Sequence, residues 1–288
     1  MTYALEHHTV PTNGQHLHVV QCGPQEGPLV VLLHGFPEFW YGWRHQIEAL
    51  AEAGYRVWAP DQRGYNLSSK PPCIRDYRVE ELAADVLGLL TAAGREQATI
   101  VGHDWGAAVT WWLAAHHPHR VARAVVLNVP HPAVLARALR RNLRQLGRSW
   151  YMFFFQVPRL PEWLLRRKQY QALRRAMQGT SRPGTFEPTE MAAYQAAWAQ
   201  PGAVRGMVNW YRAVRYGAKG TLPTPRITVP VRIIWGKRDA FLLSKLAQQS
   251  LAYCERGEIC YLPEASHWVQ HEAAEQVNSL LLEFLPRP

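Results

Sequence analysis

The 288 residues predict an α/β chain: a mostly parallel central sheet with helices on both faces and an inserted helical lid. Three observations lead there. Short apolar runs ending in glycine, proline or polar turns alternate with segments of helical periodicity, the rhythm of βα units. From about His131 to about Pro223 that rhythm gives way to segments rich in Arg, Trp, Tyr and Phe at helix-like spacing, broken by Pro158, Pro161, Pro183 and Pro201. The strand pattern then resumes at Val231. The expected partition is a first core part at 1–130, a helical lid at 131–223 and a second core part at 224–288.

Taken in order, Leu29–Leu33 is an unbroken apolar run feeding the tight loop His34-Gly35, as a buried central strand should. Tyr55–Ala59 reads as the next strand, closed by Pro60-Asp61 and a loop, DQRGYNLSSKPP, rich in turn formers. Val79–Ala93 places Val79, Leu82, Val86, Leu89 and Leu90 at helical spacing and stops at Gly94, a glycine C-cap. Ala98–Val101 is a strand, Gly102–Gly106 a turn, Ala107–His117 a helix closed by Pro118, and Ala124–Val129 a further strand. After the insertion come strands at Val231–Trp235 and Ile259–Leu262 and an amphipathic helix over roughly Ala273–Phe284. His7, His8, His16 and His18 alternate as on an N-terminal hairpin.

A chain of this length can bury a sizeable core without cross-links. Its four cysteines fall in no CxxC or Cys/His zinc spacing and read as reduced thiols, and no acidic or cysteine ligands accompany its histidine clusters, so neither metal nor cofactor is expected. The opening MTYALEHHTVPTNG has no basic and apolar leader, and no apolar run approaches the roughly 18 residues of a membrane span. A cytoplasmic monomer or homodimer is the expectation. Much of the formal net charge of +10 lies between Arg137 and Arg175. Those cations, interleaved with leucines and aromatics, read as the solvated face of amphipathic helices; electrostatic docking is the sharper alternative, and no nucleic-acid motif supports it.

Chemistry concentrates at Gly102–Gly106, GHDWG. Glycines on either side of a central residue are the pattern of the nucleophile elbow, a strained strand-to-helix turn that exposes one side chain. Here that side chain is Asp104. In isolation such an aspartate is more often a helix N-cap. An acid and a histidine follow it in the order that the α/β-hydrolase fold uses, each after a late strand: Asp239 behind VRIIWGKRD and His267 behind YLPEASHW. The N–H groups of Phe36, in HGFP, and of Trp105 are the candidate oxyanion donors.

An aspartate nucleophile has a specific consequence. Serine attacking saturated carbon would leave an ether, whereas aspartate leaves an ester that water can cleave. The carboxylate is already ionised at neutral pH, which frees His267, oriented by Asp239, to activate that water. Two leaving groups fit: a halide, or the oxygen of a strained epoxide. An alkoxide needs a proton donor, and Tyr151 in WYMFFFQVP and Tyr211 in NWYRAVRYG are the lid phenols available.

HGFPE (34–38), DQRGYNLSSKP (61–71), GHDWGA (102–107), YMFFFQVP (151–158), QPGAVRGMVNWYR (200–212), KRDAFL and SHWVQHE together resemble the soluble epoxide hydrolases of the α/β-hydrolase superfamily. The resemblance spans nearly everything after the first 25 residues. It implies that the residue matching Asp104 attacks carbon, that those matching Tyr151 and Tyr211 protonate the epoxide oxygen, and that those matching Asp239 and His267 hydrolyse the ester. It also implies a cis peptide before Pro37. The expected partner is therefore a small apolar or aryl epoxide, with Phe36, Trp105, Trp150, Phe153 and Phe154 as candidate pocket aromatics, and no nucleic acid. Haloalkane dehalogenases share the HDWG elbow and are the nearest alternative; they commonly cradle halide with an asparagine at the position of Phe36 or with a second lid tryptophan, and they lack the tyrosine pair. A non-catalytic small-ligand receptor on the same fold is the alternative from another class.

Overall fold

Leu29–Leu33 is buried at every position and lies at the centre of an eight-stranded sheet. The computed structural model describes residues 3–217 and 226–288. Its strands are β1 (Glu6–Thr12), β2 (Gln15–Cys22), β3 (Leu29–Leu33), β4 (Arg56–Pro60), β5 (Ala98–His103), β6 (Val121–Leu127), β7 (Val231–Gly236) and β8 (Gly257–Leu262), in the spatial order β1-β2-β4-β3-β5-β6-β7-β8. The hairpin β1–β2 and the β2–β4 pair are antiparallel; all later pairs are parallel. The chain steps from β3 outward to β4 and then back past β3 to β5. The ends of β3 and β5 thus flank a topological switch point, where open α/β sheets leave room for ligand.

The β3 run feeds both faces of the sheet because strand side chains alternate. Leu29, Val31 and Leu33 join a core with Leu82, Val86 and Leu89 of α2 (Val79–Ala92) and Val109 and Leu113 of α3 (Trp105–His116). Val30 and Leu32 join the other core, with Ile47 and Leu50 of one helix and Val277 and Leu281 of another. Those helices are α1 (Arg44–Glu52) and, last in the chain, α12 (Ala274–Phe284). A strand covered on both faces must be apolar throughout, as β3 is.

Between β6 and β7 the described residues form the helices α4 (Pro132–Arg141), α5 (Leu143–Arg148), α6 (Trp150–Phe154), α7 (Leu160–Gln178), α8 (Pro188–Ala199) and α9 (Ala203–Ala213). The helix α7 is broken by non-helical backbone at Arg167–Tyr170. The end of this insertion expected at Pro223 lies outside the described residues. Short α10 (Lys245–Ser250) and α11 (Val269–Glu272) complete the set. Among the described residues no helix is long and apolar enough to cross a membrane.

Element boundaries differ from the expectation where glycine and polarity mislead. The strand expected to stop at Val101 continues through Gly102 to His103, and α3 begins at Trp105, so the turn shrinks to Asp104. The strand expected over Ala124–Val129 runs from Val121 to Leu127. The N-terminal histidines do lie on the β1–β2 hairpin, where His18 faces inward, with Nδ1 2.7 Å from Asp61 Oδ2.

Candidate active site

Asp104 stands where β5 ends and α3 begins, with φ 49° and ψ −120°, a conformation that few residues with a Cβ tolerate. Its neighbours make the turn feasible. Gly106 lies so close to β3 that a Cβ there would strike the carbonyls of Leu33 and His34, and a Cβ on Gly35 would strike the Asp104 side chain. With both glycines in place, the Phe36 N–H donates to Asp104 Oδ1 at 2.7 Å. The peptide between Phe36 and Pro37 is cis. Trp105 opens α3; its ring packs edge-on against Trp210 at 5.7 Å and Tyr211 at 5.0 Å.

The loops after β7 and β8 deliver Asp239 and His267 to the same place. His267 Nδ1–H donates to Asp239 Oδ2 at 2.8 Å, which leaves Nε2 facing Asp104 Oδ2 at 3.7 Å, beyond hydrogen bonding. Asp239 is buried and fully engaged: Oδ1 accepts from the N–H groups of Phe241 and Leu242 at 2.7 and 2.9 Å, and Oδ2 also accepts from Asn128 Nδ2 at 2.7 Å. Burial disfavours the His267 cation, but the Asp239 and Asp104 carboxylates outweigh it and push the pKa up to about 10. Burial likewise opposes Asp104 ionisation, yet His267, His103 and the Phe36 N–H hold its carboxyl below the ordinary value. The histidine is thus a cation while Asp104 carries charge, and loses one of its two supporting carboxylates when that charge is removed.

Tyr151 of α6 and Tyr211 of α9 line one cavity of about 740 Å³ together with Asp104, His267 and Phe36. Their rings meet edge-to-face at 5.9 Å. Burial, with the Asp104 charge second, pushes both phenols above their ordinary pKa, so both keep their protons at neutral pH. The segments carrying them are tied together: Gln156 Nε2 donates to the Tyr211 carbonyl and Arg212 Nε to the Phe155 carbonyl, each at 2.9 Å. Of the expected pocket aromatics, Phe36, Trp150 and Phe154 line the cavity, and Phe155, Phe241 and Trp268 join them. Trp105 and Phe153 do not: the Trp105 ring packs behind the wall against Trp210 and Tyr211, and Phe153 turns outward and is 55% exposed.

Three contributors escape the sequence reading. Asn128, at φ 56° directly after β6, holds Asp239 and accepts from the Gly236 N–H at 3.0 Å; a polar residue ending VVLN was its only mark. Arg148 belongs to the basic stretch read as a solvated face, yet it lines the cavity and donates to the Asp239 carbonyl at 2.8 Å. Glu38, fully buried, accepts from His271 Nε2 (2.6 Å), Tyr194 OH (2.9 Å) and Gln270 Nε2 (2.9 Å), and stands 3.2 Å from His103 Nδ1, whose Nε2 donates to the His267 carbonyl at 2.9 Å. Burial opposes its charge, but His271 and His103 hold the carboxyl well below the usual range. The elbow, the histidine loop and α8 therefore meet at one carboxylate.

A mostly parallel sheet with an elbow residue after β5, an acid after β7 and a histidine after β8 defines the α/β-hydrolase class, and the family model described as "alpha/beta hydrolase fold" matches residues 28–274. An AB hydrolase superfamily protein of Bacillus subtilis, YfhM, is 47% identical over 276 residues, covering 96% of each chain. Epoxide hydrolase 4 of Mus musculus is 36% identical across 96% of this chain and 78% of its own length. The crystal structure of epoxide hydrolase A from Mycobacterium thermoresistibile superposes with a TM-score of 0.88 at 33% identity, covering 98% of both chains. The chain belongs to the epoxide hydrolase family of the α/β-hydrolase superfamily, and so is a hydrolase.

Proposed function

We propose that this enzyme converts an apolar or aryl epoxide and water to a vicinal diol through an ester on Asp104. One observation carries the reading: a carboxylate nucleophile shares a largely apolar cavity with two phenols that stay protonated at neutral pH. Serine hydrolases have no use for such phenols, and a halide leaving group needs no proton.

In the first half-reaction an Asp104 oxygen attacks an epoxide carbon and the carbon–oxygen bond breaks. Tyr151 or Tyr211 gives its proton to the departing alkoxide, a contribution of roughly 10² to 10⁴ in rate. Esterification removes the Asp104 charge that holds a proton on His267, so the imidazolium becomes acidic enough to return a proton to the tyrosinate. Neutral His267, kept in its Nδ1–H tautomer by Asp239, then takes a proton from water attacking the ester carbonyl. The Phe36 and Trp105 N–H groups hold the resulting oxyanion. Collapse breaks the bond between the carbonyl carbon and the substrate oxygen, and that oxygen takes the proton of the new carboxylic acid: the diol leaves, Asp104 is again a carboxylate, and His267 keeps the proton taken from water as the imidazolium it began as. The reaction consumes one water. In this reading α4–α9 act as the lid of a core built from the flanking segments, and Arg148, Asn128 and Glu38 position the water-activating pair.

The test is diol formation from styrene oxide beside halide release from 1-chlorobutane, in the parent and in a Tyr151→Phe/Tyr211→Phe variant. Diol formation that falls at least 10²-fold in the variant, without halide release, is the expected result. Halide release that survives the loss of both phenols overturns it in favour of dehalogenation, and inactivity toward both substrates favours a ligand receptor.

A further inference from the structure

The positive charge of this protein has one address. Residues 131–178 hold eleven of its 32 Lys and Arg residues and one of its 22 acids, Glu162, so the remaining chain carries 21 of each and is neutral. Glu162 is itself paired with Arg212 at 2.9 Å. The same segment exposes apolar side chains: of eleven large hydrophobics exposed among the described residues, Leu143, Trp150, Phe153, Val157, Leu160 and Trp163 fall within 21 consecutive positions. Leu143 is 85% exposed. Arg144, Arg166 and Arg167 stand among them, all exposed, with the Arg167 guanidinium 4.4 Å over the Trp163 ring. In α7, Leu160 and Trp163 share an outer face by their i, i+3 spacing, with Arg167 laid over Trp163 at the break, while Pro161 and Leu165 are buried.

This patch borders the cavity mouth. Trp150 lines the cavity and is also 63% exposed, and α5 and α7 contribute Arg148 and Leu164 to the same wall. Cations interleaved with outward tryptophan, phenylalanine and leucine match the two requirements of an anionic lipid interface: headgroup charge and an acyl boundary that accepts apolar side chains. A phosphate backbone would use the cations and leave Leu143, Val157 and Leu160 in water. A second copy of this chain would oppose eleven cations to eleven.

We propose that the outer face of α4–α7 docks on an anionic lipid surface with the cavity mouth turned toward it. Docking uses no residue assigned a chemical step, shares only Trp150 with the cavity wall, and stands or falls independently of the epoxide reading. If both hold, lipid-dissolved epoxides enter the cavity from the bilayer.

The full chain is floated with vesicles of phosphatidylcholine alone and of equal parts phosphatidylcholine and phosphatidylglycerol, at low and high salt. Binding to the anionic vesicles only, weakened by salt, is expected. Arg144→Gln/Arg166→Gln/Arg167→Gln should lower the partition coefficient about a hundredfold, from roughly fivefold per charge. Leu143→Ser/Phe153→Ser/Trp163→Ser should lower it about tenfold or more while leaving retention on heparin unchanged. Absence of flotation with anionic vesicles overturns the proposal, as does flotation that either variant leaves intact; an intact apolar variant would assign the patch to a polyanion or an acidic protein. Should a variant fold poorly, quenching of the parent's tryptophan fluorescence by acyl-brominated anionic lipid decides the matter, since Trp150 and Trp163 would lie within the bilayer boundary and no quenching would refute docking.

Discussion

In the sheet, a functional side chain is placed by backbone: Asp104 points into the cavity because β5 ends there, α3 starts there, and Gly35 and Gly106 leave no other course for the chain. In the helical insertion the same task is done by side chains. Tyr211 is aimed by its edge-on contacts with Phe36 and Trp105 and by hydrogen bonds from Gln156 and Arg212 that join α9 to the segment after α6. The first device tolerates no movement, because strand ends are tied into a hydrogen-bonded ladder. The second tolerates exchange of its contacts, so the insertion is where members of one family can change the cavity while keeping the chemistry.

The largest effect that tests this division comes from His267, which the two carboxylates of the sheet hold as a cation. His267→Gln removes the proposed base for ester hydrolysis but none of the groups proposed for alkylation. Turnover should fall on the order of 10⁴-fold, while intact mass spectrometry after mixing with styrene oxide shows one equivalent of substrate mass retained on the protein. Loss of the adduct together with turnover would place His267 in the first step and undo the assignment of separate steps to sheet and insertion.

The same contrast explains what the sequence reveals. Asp104, Asp239 and His267 are legible because strand ends leave short-range marks: an apolar run, a glycine and then one polar residue. The fold class is legible for the same reason, since a strand buried on both faces, as Leu29–Leu33 is, must be apolar at every position. Asn128 and Glu38 are not legible, because their partners lie 111 and 65 to 233 positions away and no local pattern encodes the meeting. Arg148 is hidden differently: it repeats at the spacing of its exposed neighbours, and only tertiary packing turns it inward. Phe153 and Phe154 are adjacent and alike in composition, yet one faces solvent and the other the cavity.

Next in size is the pH dependence of stability. The folded pKa of His267 is about 10, above its unfolded value of 6.5, so the stability it contributes is complete below pH 6.5 and is lost as pH rises from there through about 10. Asp104 and Glu38 act with the opposite sign: their folded values are depressed, and their contribution is lost as pH falls below the ordinary carboxylate range. His34 and His131, buried with lowered pKa, also weaken the fold only on the acid side. Between pH 6.5 and 9, below the point at which the buried Cys254 thiol, pushed up to about 11, begins to act in the same direction, the parent should therefore lose melting temperature steadily and His267→Gln should lose much less. Parallel curves for the two proteins would show that the charge cluster adds nothing to the stability of the strand ends.

The smallest effects separate the two regions through one methyl group. At Gly106 a Cβ meets the carbonyls of Leu33 and His34 at the end of β3, and backbone in a sheet cannot yield; Gly106→Ala should cost about 3 kcal/mol in urea unfolding and disturb the turn that presents Asp104. At Gly147, within α5, a Cβ meets nothing within 4 Å, and the residue lies in helical backbone where alanine is preferred. Gly147→Ala should therefore stabilise by about 0.5 to 1 kcal/mol. Opposite signs are the signature of a rigid site carried by the sheet and an adaptable wall carried by the insertion. A Gly147→Ala cost comparable to that of Gly106→Ala would mean that α5 is packed as tightly as the strand ends, and that the cavity wall has no more freedom than the turn carrying Asp104.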